Sequence, residues 1–249
     1  MEININGVKT NYEIYGEGKP FLFLHGWGSN STRWESVAKV ISEKGFKVIV
    51  PDLPGFGKSE ELTFPWNTNR YVTWTEDFVK ELNLKDFYLL GHSFGGALAS
   101  KLAIKHVQDV KKLFLVAAAV VREKTNQKNF LAFIAKIINI FSFLPYYGLF
   151  RKAVYKFVIR KSDYSYVEGV IKQTYLNVIK EDMSFQLPFV KVPTTIIWGD
   201  KDDLTPIKNA HIINEKIKNS KLIIVPGVNH NLDRHEHPEI LAEKILNNI

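Results

Sequence analysis

Residues 91–95 read Gly91-His92-Ser93-Phe94-Gly95, and this pentapeptide decides how the rest of the chain is interpreted. The apolar segment 86–90 precedes it with the character of a β-strand, and residues 96–103 follow it as a helix rich in small residues. A Gly-x-Ser-x-Gly pattern between a strand and a helix is typical of a tight turn that exposes the serine hydroxyl as a nucleophile. The pentapeptide alone does not distinguish that turn from an ordinary glycine-rich connection.

Short apolar segments alternate with helical ones along most of the chain. Residues 21–24 and 46–50 are suited to buried strands before the pentapeptide, and residues 194–198 and 222–225 resume the same pattern after it. Asn6-Gly7 lies between two alternating segments and predicts a β-hairpin at the N-terminus. Strands separated by helices favour a mainly parallel sheet with helices on both faces, so the expected fold class is α/β.

The character of the chain changes between residues 122 and 189. Strand signals are absent there, and the very apolar stretch 130–141 looks helical. We expect residues 1–121 and 190–249 to form an α/β core, and residues 122–189 to form an inserted, all-helical cap (lid) over the functional edge of the sheet. Lys136, Asn139 and Pro145 interrupt the longer apolar stretch 130–150, and a span needs about 20 nearly uninterrupted apolar residues. A stable membrane span is therefore not expected, although transient membrane contact stays open.

The composition is that of an ordinary folded protein, with 45% hydrophobic and 24% charged residues. The chain contains no cysteine, which excludes disulfides and thiolate metal sites. Its formal net charge of +7 favours the binding of anions. No basic stretch is interleaved with base-stacking aromatic residues, however, so no nucleic-acid partner is expected. The first residues show neither a basic nor an apolar leader segment, and a cytoplasmic location is predicted.

A nucleophilic serine needs a base that removes its proton and usually a carboxylate that orients the base. Two later loops carry these residue types, and each loop directly follows a predicted strand. Residues 199–206 contain Asp200, Asp202 and Asp203, and residues 226–231 contain His230. Ligands bind at the loops that follow the strands of parallel α/β sheets. The residue types alone leave the choice among the three aspartates open.

Taken together, these segments resemble the α/β-hydrolase superfamily, and within it serine hydrolases with a helical cap, such as the carboxylesterases that act on pimeloyl esters. The resemblance covers essentially the whole chain and is weakest in the cap. It is carried by His25-Gly26-Trp27-Gly28 and by residues 52–59, 91–96, 198–206 and 227–230.

The resemblance implies an α/β-hydrolase fold and a catalytic triad. In this family the acid usually stands three residues after the glycine that ends its strand, which maps to Asp202, with Asp200 as the main rival. The family's histidine lies in a Gly-x-x-His setting, which His230 matches. The implied triad is Ser93, Asp202 and His230.

The attack on a carbonyl predicts an oxyanion hole, and the aromatic and aliphatic residues of the cap predict an apolar substrate pocket. A carbonyl oxygen under attack gains negative charge and needs hydrogen-bond donors placed in advance. The expected donors are the backbone N–H groups of Trp27 and Phe94. The residues expected to line the pocket are Trp27, Phe130, Phe133, Phe141 and Tyr146.

The expected reaction is hydrolysis of carboxylic esters with small to medium apolar acyl or aryl groups, through an acyl-enzyme on Ser93. Hydrolysis of carbon–carbon bonds, lactones or amides, or perhydrolysis, could use the same triad. A ligand-binding protein that has lost turnover is the alternative from another class. The expected partner is a small-molecule ester, bound by a monomer or homodimer. No cofactor is expected, and no metal, because no histidine and carboxylate grouping has convincing ligand spacing.

Overall fold

A computed structural model describes residues 1–122, 169–232 and 238–249. Eight β-strands lie in these ranges: β1 (Glu2–Ile5), β2 (Val8–Tyr15), β3 (Lys19–Leu24), β4 (Phe46–Pro51), β5 (Phe87–His92), β6 (Val110–Val116), β7 (Thr194–Gly199) and β8 (Ser220–Val225). The α-helices of the same ranges are α1 (Glu35–Ser42), α2 (Thr68–Glu81), α3 (Phe94–Lys105), α4 (Gly169–Ile179), α5 (Ile207–Lys216) and α6 (Pro238–Leu246). None of the helices in these ranges is both long and apolar enough to cross a membrane.

All eight strands belong to one sheet in the order β1-β2-β4-β3-β5-β6-β7-β8. The pairs β1–β2 and β2–β4 are antiparallel, and every other neighbouring pair is parallel. The predicted α/β class with a mainly parallel sheet is therefore confirmed. The predicted N-terminal hairpin is confirmed as well, because Ile5 pairs with Val8 while Asn6 and Gly7 turn the chain with φ of 51° and 86°.

The direction of each crossover places helices on both faces of the sheet. Helix α1 leads from β3 to its neighbour β4, whereas α3 leads from β5 to its neighbour β6 in the opposite direction across the sheet. Because such crossovers are right-handed, α1 and α3 cover opposite faces. Helix α6 packs against α1, and α2 packs against α3. The connections that leave the neighbouring strands β3 and β5 thus run to opposite sides of the sheet. In α/β sheets, ligands bind in the crevice at the carboxyl ends of two strands related in this way.

Helix α3 packs close to the central strands because two glycines, Gly95 and Gly96, follow its first residue. A Cβ atom on Gly95 would overlap the carbonyl oxygen of Leu24 at the end of β3, and one on Gly96 would overlap the Cβ atom of Ala118. This close packing holds the first turn of α3 at the carboxyl edge of the sheet.

Replacing Gly95 with alanine is expected to lower the free energy of unfolding by about 1–3 kcal/mol, because the new methyl group meets backbone that cannot yield. Helix propensity alone predicts the opposite sign, a gain of about 1 kcal/mol. Urea unfolding of the variant distinguishes the two outcomes, and a variant at least as stable as the wild type would contradict the packing account.

The expected cap is described only at its C-terminal end. Residues 169–189 contain α4 and a short 3-10 helix, Leu187–Phe189, and residues 123–168 lie outside the described ranges. The boundaries 1–121, 122–189 and 190–249 therefore stay a prediction.

Candidate active site

Ser93 occupies a strained turn between β5 and α3. Its backbone has φ 50° and ψ −115°, values that side-chain-bearing residues rarely adopt. The N–H of Ser93 donates to the carbonyl of Val116 at 3.0 Å, and its own carbonyl accepts from the N–H of Ala119 at 2.9 Å. Hydrogen bonds to the last residue of β6 and to the segment just after it therefore hold the strained residue on both sides.

Asp202 lies on the loop after β7, and its carboxylate is completely buried. One oxygen, Oδ2, accepts from Nδ1 of His230 at 2.8 Å and from the hydroxyl of Thr205 at 2.6 Å. The other, Oδ1, accepts from the N–H groups of Leu204 and Thr205 at 2.9 and 2.8 Å. Four donors therefore surround this carboxylate, as the burial of a charged group requires.

The same contacts fix the charge of Asp202 and the tautomer of His230. Burial raises the pKa of Asp202, but the hydrogen bond and charge of His230, together with the hydrogen bonds from Thr205, outweigh burial and hold that pKa below 3.8. Asp202 is therefore a carboxylate at neutral pH, so Nδ1 of His230 must carry the hydrogen between them. In the neutral imidazole the lone pair then lies on Nε2.

A hydrogen bond holds the loop that carries His230 next to the nucleophile. The carbonyl of His230 accepts from Nε2 of His92 at 3.0 Å, and the two imidazole rings lie 5.0 Å apart between centroids. His92 directly precedes Ser93 in the chain. The structure thus joins the pair of Asp202 and His230 to the residue directly before Ser93, at the carboxyl edge of the sheet.

Asp200 and Asp203 have different surroundings from Asp202. Both are exposed, and Oδ1 of Asp200 accepts from the N–H of Gly227 at 2.7 Å. Of the three aspartates in this loop, Asp202 is the one whose carboxylate meets His230.

The backbone of the loop after β3 packs closely against Ser93. A Cβ atom on Gly26 would lie 3.0 Å from Nδ1 of His92 and 3.1 Å from the Cβ atom of Ser93. The next residue, Trp27, places its ring 5.7 Å from that of Phe94 between centroids. Phe94 begins α3, so its N–H has no acceptor within the helix and points from the positive end of the helix dipole.

Trp27 is also part of an aromatic wall that the motifs did not reveal. Its ring lies 4.8 Å from the ring of Phe56, which follows β4, and 5.2 Å from the ring of Tyr175 on α4. Trp27 is half-buried, and Tyr175 belongs to the C-terminal part of the expected cap. The wall therefore joins three segments that are distant in the sequence.

A family model described as alpha/beta hydrolase fold matches residues 19–156, more than half of the chain. The chain belongs to the α/β-hydrolase family. The match spans β3, the loop with Trp27, the turn at Ser93 and the strand that follows it.

Known relatives of this hydrolase carry several activities in their names. It is 26% identical over 249 residues to a non-heme haloperoxidase of Rhodococcus erythropolis, covering 91% of each chain. It is 24% identical over 270 residues to the 2-hydroxy-6-oxo-6-(2'-aminophenyl)hexa-2,4-dienoic acid hydrolase of Metapseudomonas resinovorans, covering 98% of this chain and 88% of that one. Its fold matches an esterase of Exiguobacterium antarcticum with a TM-score of 0.75, at 24% identity and with 98% and 96% of the two chains covered. The family is thus shared, whereas the reaction differs among relatives.

Asp52 anchors the loop that carries Trp27 in this hydrolase. Its buried carboxylate accepts from the N–H of Ser31 at 2.6 Å, the N–H of Lys58 at 2.8 Å and the side-chain amide of Asn11 at 2.9 Å. Burial raises the pKa of Asp52, but the hydrogen bonds from Lys58, Ser31 and Asn11 outweigh burial and bring the pKa below 3.8. The carboxylate therefore ties the loop after β3 to the loop after β4.

His25, in the same loop, has a structural setting. It is fully buried, and its Nε2 accepts from the N–H of Leu53 at 2.9 Å. Its Nδ1 lies 2.8 Å from the carbonyl of Gly26 and, with Nε2 acting as acceptor, donates to that oxygen. Together with Asp52, the ring of His25 keeps the backbone at Trp27 in a fixed position.

Replacing Asp52 with asparagine is expected to lower the free energy of unfolding at neutral pH by about 1–3 kcal/mol, because an amide cannot accept from all three donors. A carboxyl whose pKa is lowered by folding stabilises the native state above its unfolded pKa and loses that effect as the pH falls through its native pKa. The difference between wild type and variant should therefore shrink as the pH is taken below 3.8. Urea unfolding across this pH range tests the prediction, and a difference that grows in acid would contradict it.

Four of the expected pocket residues, Phe130, Phe133, Phe141 and Tyr146, lie outside the described residues. Sequence reasoning also missed Thr205 and Tyr175. Thr205 carried a usable signal, since a hydroxyl three residues after an aspartate is a common local partner for its carboxylate. Tyr175 carried none, because nothing near it in the sequence connects α4 with Trp27. Within the described ranges, no group of three histidines and carboxylates could hold a metal ion.

Proposed function

We propose that this α/β-hydrolase is a carboxylic ester hydrolase in which Ser93 is the nucleophile, His230 the general base and Asp202 the acid that orients it. The observation that carries the proposal is the bond between Asp202 and Nδ1 of His230, on a loop fastened to the residue before Ser93. A carboxylate bonded to an imidazole, on a loop next to a strained serine, supports the order of roles that acyl transfer requires.

In the proposed reaction, Nε2 of His230 takes the hydroxyl proton of Ser93 while the oxygen of Ser93 attacks the ester carbonyl. Asp202 stabilises the imidazolium that forms, and it remains a carboxylate throughout. The tetrahedral intermediate collapses as His230 returns the proton to the leaving alcohol. Water then repeats the sequence on the acyl-enzyme, so that the carboxylic acid is released and Ser93 regains its proton.

The N–H groups of Trp27 and Phe94 are the proposed oxyanion donors. The loop backbone at Gly26 lies against Ser93, and Phe94 opens α3 directly after the nucleophile. The dipole of α3 also favours negative charge at this end of the helix. One donor of this kind typically contributes about 10²–10³ in rate.

The substrate class is proposed from the walls of the site. Trp27, Phe56 and Tyr175 present aromatic surface next to the nucleophile, which suits an apolar acyl or aryl group. Carbon–carbon bond hydrolysis and perhydrolysis are further candidates, because relatives are named as a dienoic acid hydrolase and as a haloperoxidase. A small-molecule ester remains the proposed partner. The cytoplasm is the proposed location.

The proposal is tested by labelling the purified protein with a fluorophosphonate probe, which reacts with an activated serine hydroxyl. We expect one adduct, at Ser93, and hydrolysis of short p-nitrophenyl esters by the same preparation. A folded protein that neither reacts with the probe nor turns over esters would instead support a ligand-binding role without turnover. If the protein reacts with the probe but prefers carbon–carbon or peroxide substrates in a panel, Ser93 would remain the nucleophile, and the proposed substrate class would have to change.

A further inference from the structure

Thr205 is a buried residue to which the proposed reaction assigns no role, although each of its polar groups is engaged. Its N–H donates to Oδ1 of Asp202 at 2.8 Å, and its carbonyl accepts from the indole Nε1 of Trp198 at 2.8 Å. Trp198 is itself fully buried in β7. The backbone of Thr205 is therefore held from both sides, which fixes the direction in which its hydroxyl points.

The hydroxyl of Thr205 completes a triangle of atoms that lie within hydrogen-bond distance of one another. Oδ2 of Asp202 lies 2.6 Å from Oγ1 of Thr205 and 2.8 Å from Nδ1 of His230, and Oγ1 and Nδ1 are 3.1 Å apart. The single hydrogen of the hydroxyl follows the shortest side to the carboxylate, which can only accept. A lone pair of Oγ1 then faces the hydrogen on Nδ1. Two acceptors share that hydrogen, and together they restrict the tilt of the imidazole more than the carboxylate alone would.

The same hydroxyl reaches the segment that holds the nucleophile. Oγ1 of Thr205 lies 3.3 Å from the carbonyl oxygen of Ala117, directly after β6. The residues on either side of this carbonyl hold Ser93, since the carbonyl of Val116 accepts from its N–H and the N–H of Ala119 donates to its carbonyl. Thr205 therefore lies between the acid–base pair and the backbone that supports the nucleophile.

We infer that Thr205 is a positioning residue, which acts through Asp202 to hold the ring of His230 in the orientation that proton transfer from Ser93 requires. A general base must come within about 2.6–3.2 Å of the atom whose proton it takes. A misplacement of about 1 Å can cost about 10²-fold in rate, so a buried contact that fixes the ring has a large effect on turnover. This inference deepens the proposed function and rests on it.

The first test removes the hydroxyl and then restores it. Thr205→Val should lower both kcat for p-nitrophenyl esters and the rate at which a fluorophosphonate labels Ser93, each by about 10–100-fold. Thr205→Ser keeps the hydroxyl and should stay within about 3-fold of the wild type. Thr75→Val is the matched control, because Thr75 is fully buried on α2 and its hydroxyl donates within the helix to the carbonyl of Tyr71 at 2.8 Å. It should also stay within about 3-fold.

A double-mutant cycle then shows whether the hydroxyl acts through the carboxylate. In an Asp202→Asn background the bond to His230 is already impaired, so adding Thr205→Val should change the labelling rate of Ser93 by less than about 3-fold. A general loss of structure would instead lower the rate by the same factor in both backgrounds. That result, an unchanged rate in Thr205→Val alone, or equal losses in the valine and serine variants would overturn the inference.

A spectroscopic measurement separates this inference from the proposed activity. The hydrogen between Nδ1 of His230 and Asp202 gives a downfield proton NMR signal, which is identified by its loss in His230→Gln. The signal should shift or broaden in Thr205→Val and return in Thr205→Ser. If probe and esters fail to react while the signal behaves in this way, the hydrolase proposal fails and the hold of Thr205 on His230 stands. A signal that is the same in Thr205→Val as in the wild type would overturn the inference.

Discussion

Alanine at position 93 is expected to reduce kcat for ester hydrolysis by about 10⁴-fold or more. Covalent catalysis ends when the hydroxyl is removed, because His230 then has no proton to take and no oxygen to activate. The remaining rate would come from the oxyanion donors and from substrate binding, which alone accelerate such reactions only partly. The measurement is a progress curve with a p-nitrophenyl ester at enzyme concentrations high enough to detect the residual rate.

Ser100 provides a matched serine for this experiment. It is fully buried on α3, and its hydroxyl donates to the carbonyl of Gly96 within the helix at 2.8 Å. Ser100→Ala removes a hydroxyl from the same helix without touching Ser93, so kcat should stay within about 3-fold of the wild type. If Ser93→Ala kept a rate within 10-fold of the wild type while both variants melted normally, the nucleophile would have to lie elsewhere.

Asparagine at position 202 is the second large effect, with an expected loss of about 10³–10⁴-fold in kcat. The amide NH₂ that replaces one oxygen would face either the Nδ1–H of His230 or the N–H groups of Leu204 and Thr205. The ring of His230 would respond by moving its proton to Nε2, the nitrogen that must accept from Ser93. The variant would thus keep its shape and lose the base, which steady-state kinetics and a melting curve together can show.

Asp200 is the control for this variant, since it lies on the same loop two residues earlier. Its carboxylate is exposed and accepts from the N–H of Gly227, away from His230. Asp200→Asn is expected to change kcat by less than about 5-fold, because removing the charge of an exposed carboxylate removes little interaction energy. A larger loss for Asp200→Asn than for Asp202→Asn would transfer the role of the acid to Asp200.

The two aspartates show where sequence reasoning reached its limit. Residue types placed an acid in 199–206 and a base in 226–231, but three aspartates fitted the acidic loop equally well. Resemblance to a family favoured Asp202, and the structure places that residue against His230. The choice depends on the local path of the loop, in which two N–H groups turn back onto Asp202 and leave Asp200 facing solvent.

The sequence by itself determined the local elements of this protein. Gly91 to Gly95 between an apolar strand and a small-residue helix specified the turn at Ser93, and Asn6-Gly7 specified the hairpin, because glycine placement and hydrophobic period act over a few residues. Only the tertiary structure decided which distant groups meet. The ring of Tyr175 on α4 reaches the ring of Trp27 through packing of segments that share no local pattern. Such a contact depends on how α4 packs against the loop after β3, and that arrangement is a property of the whole chain.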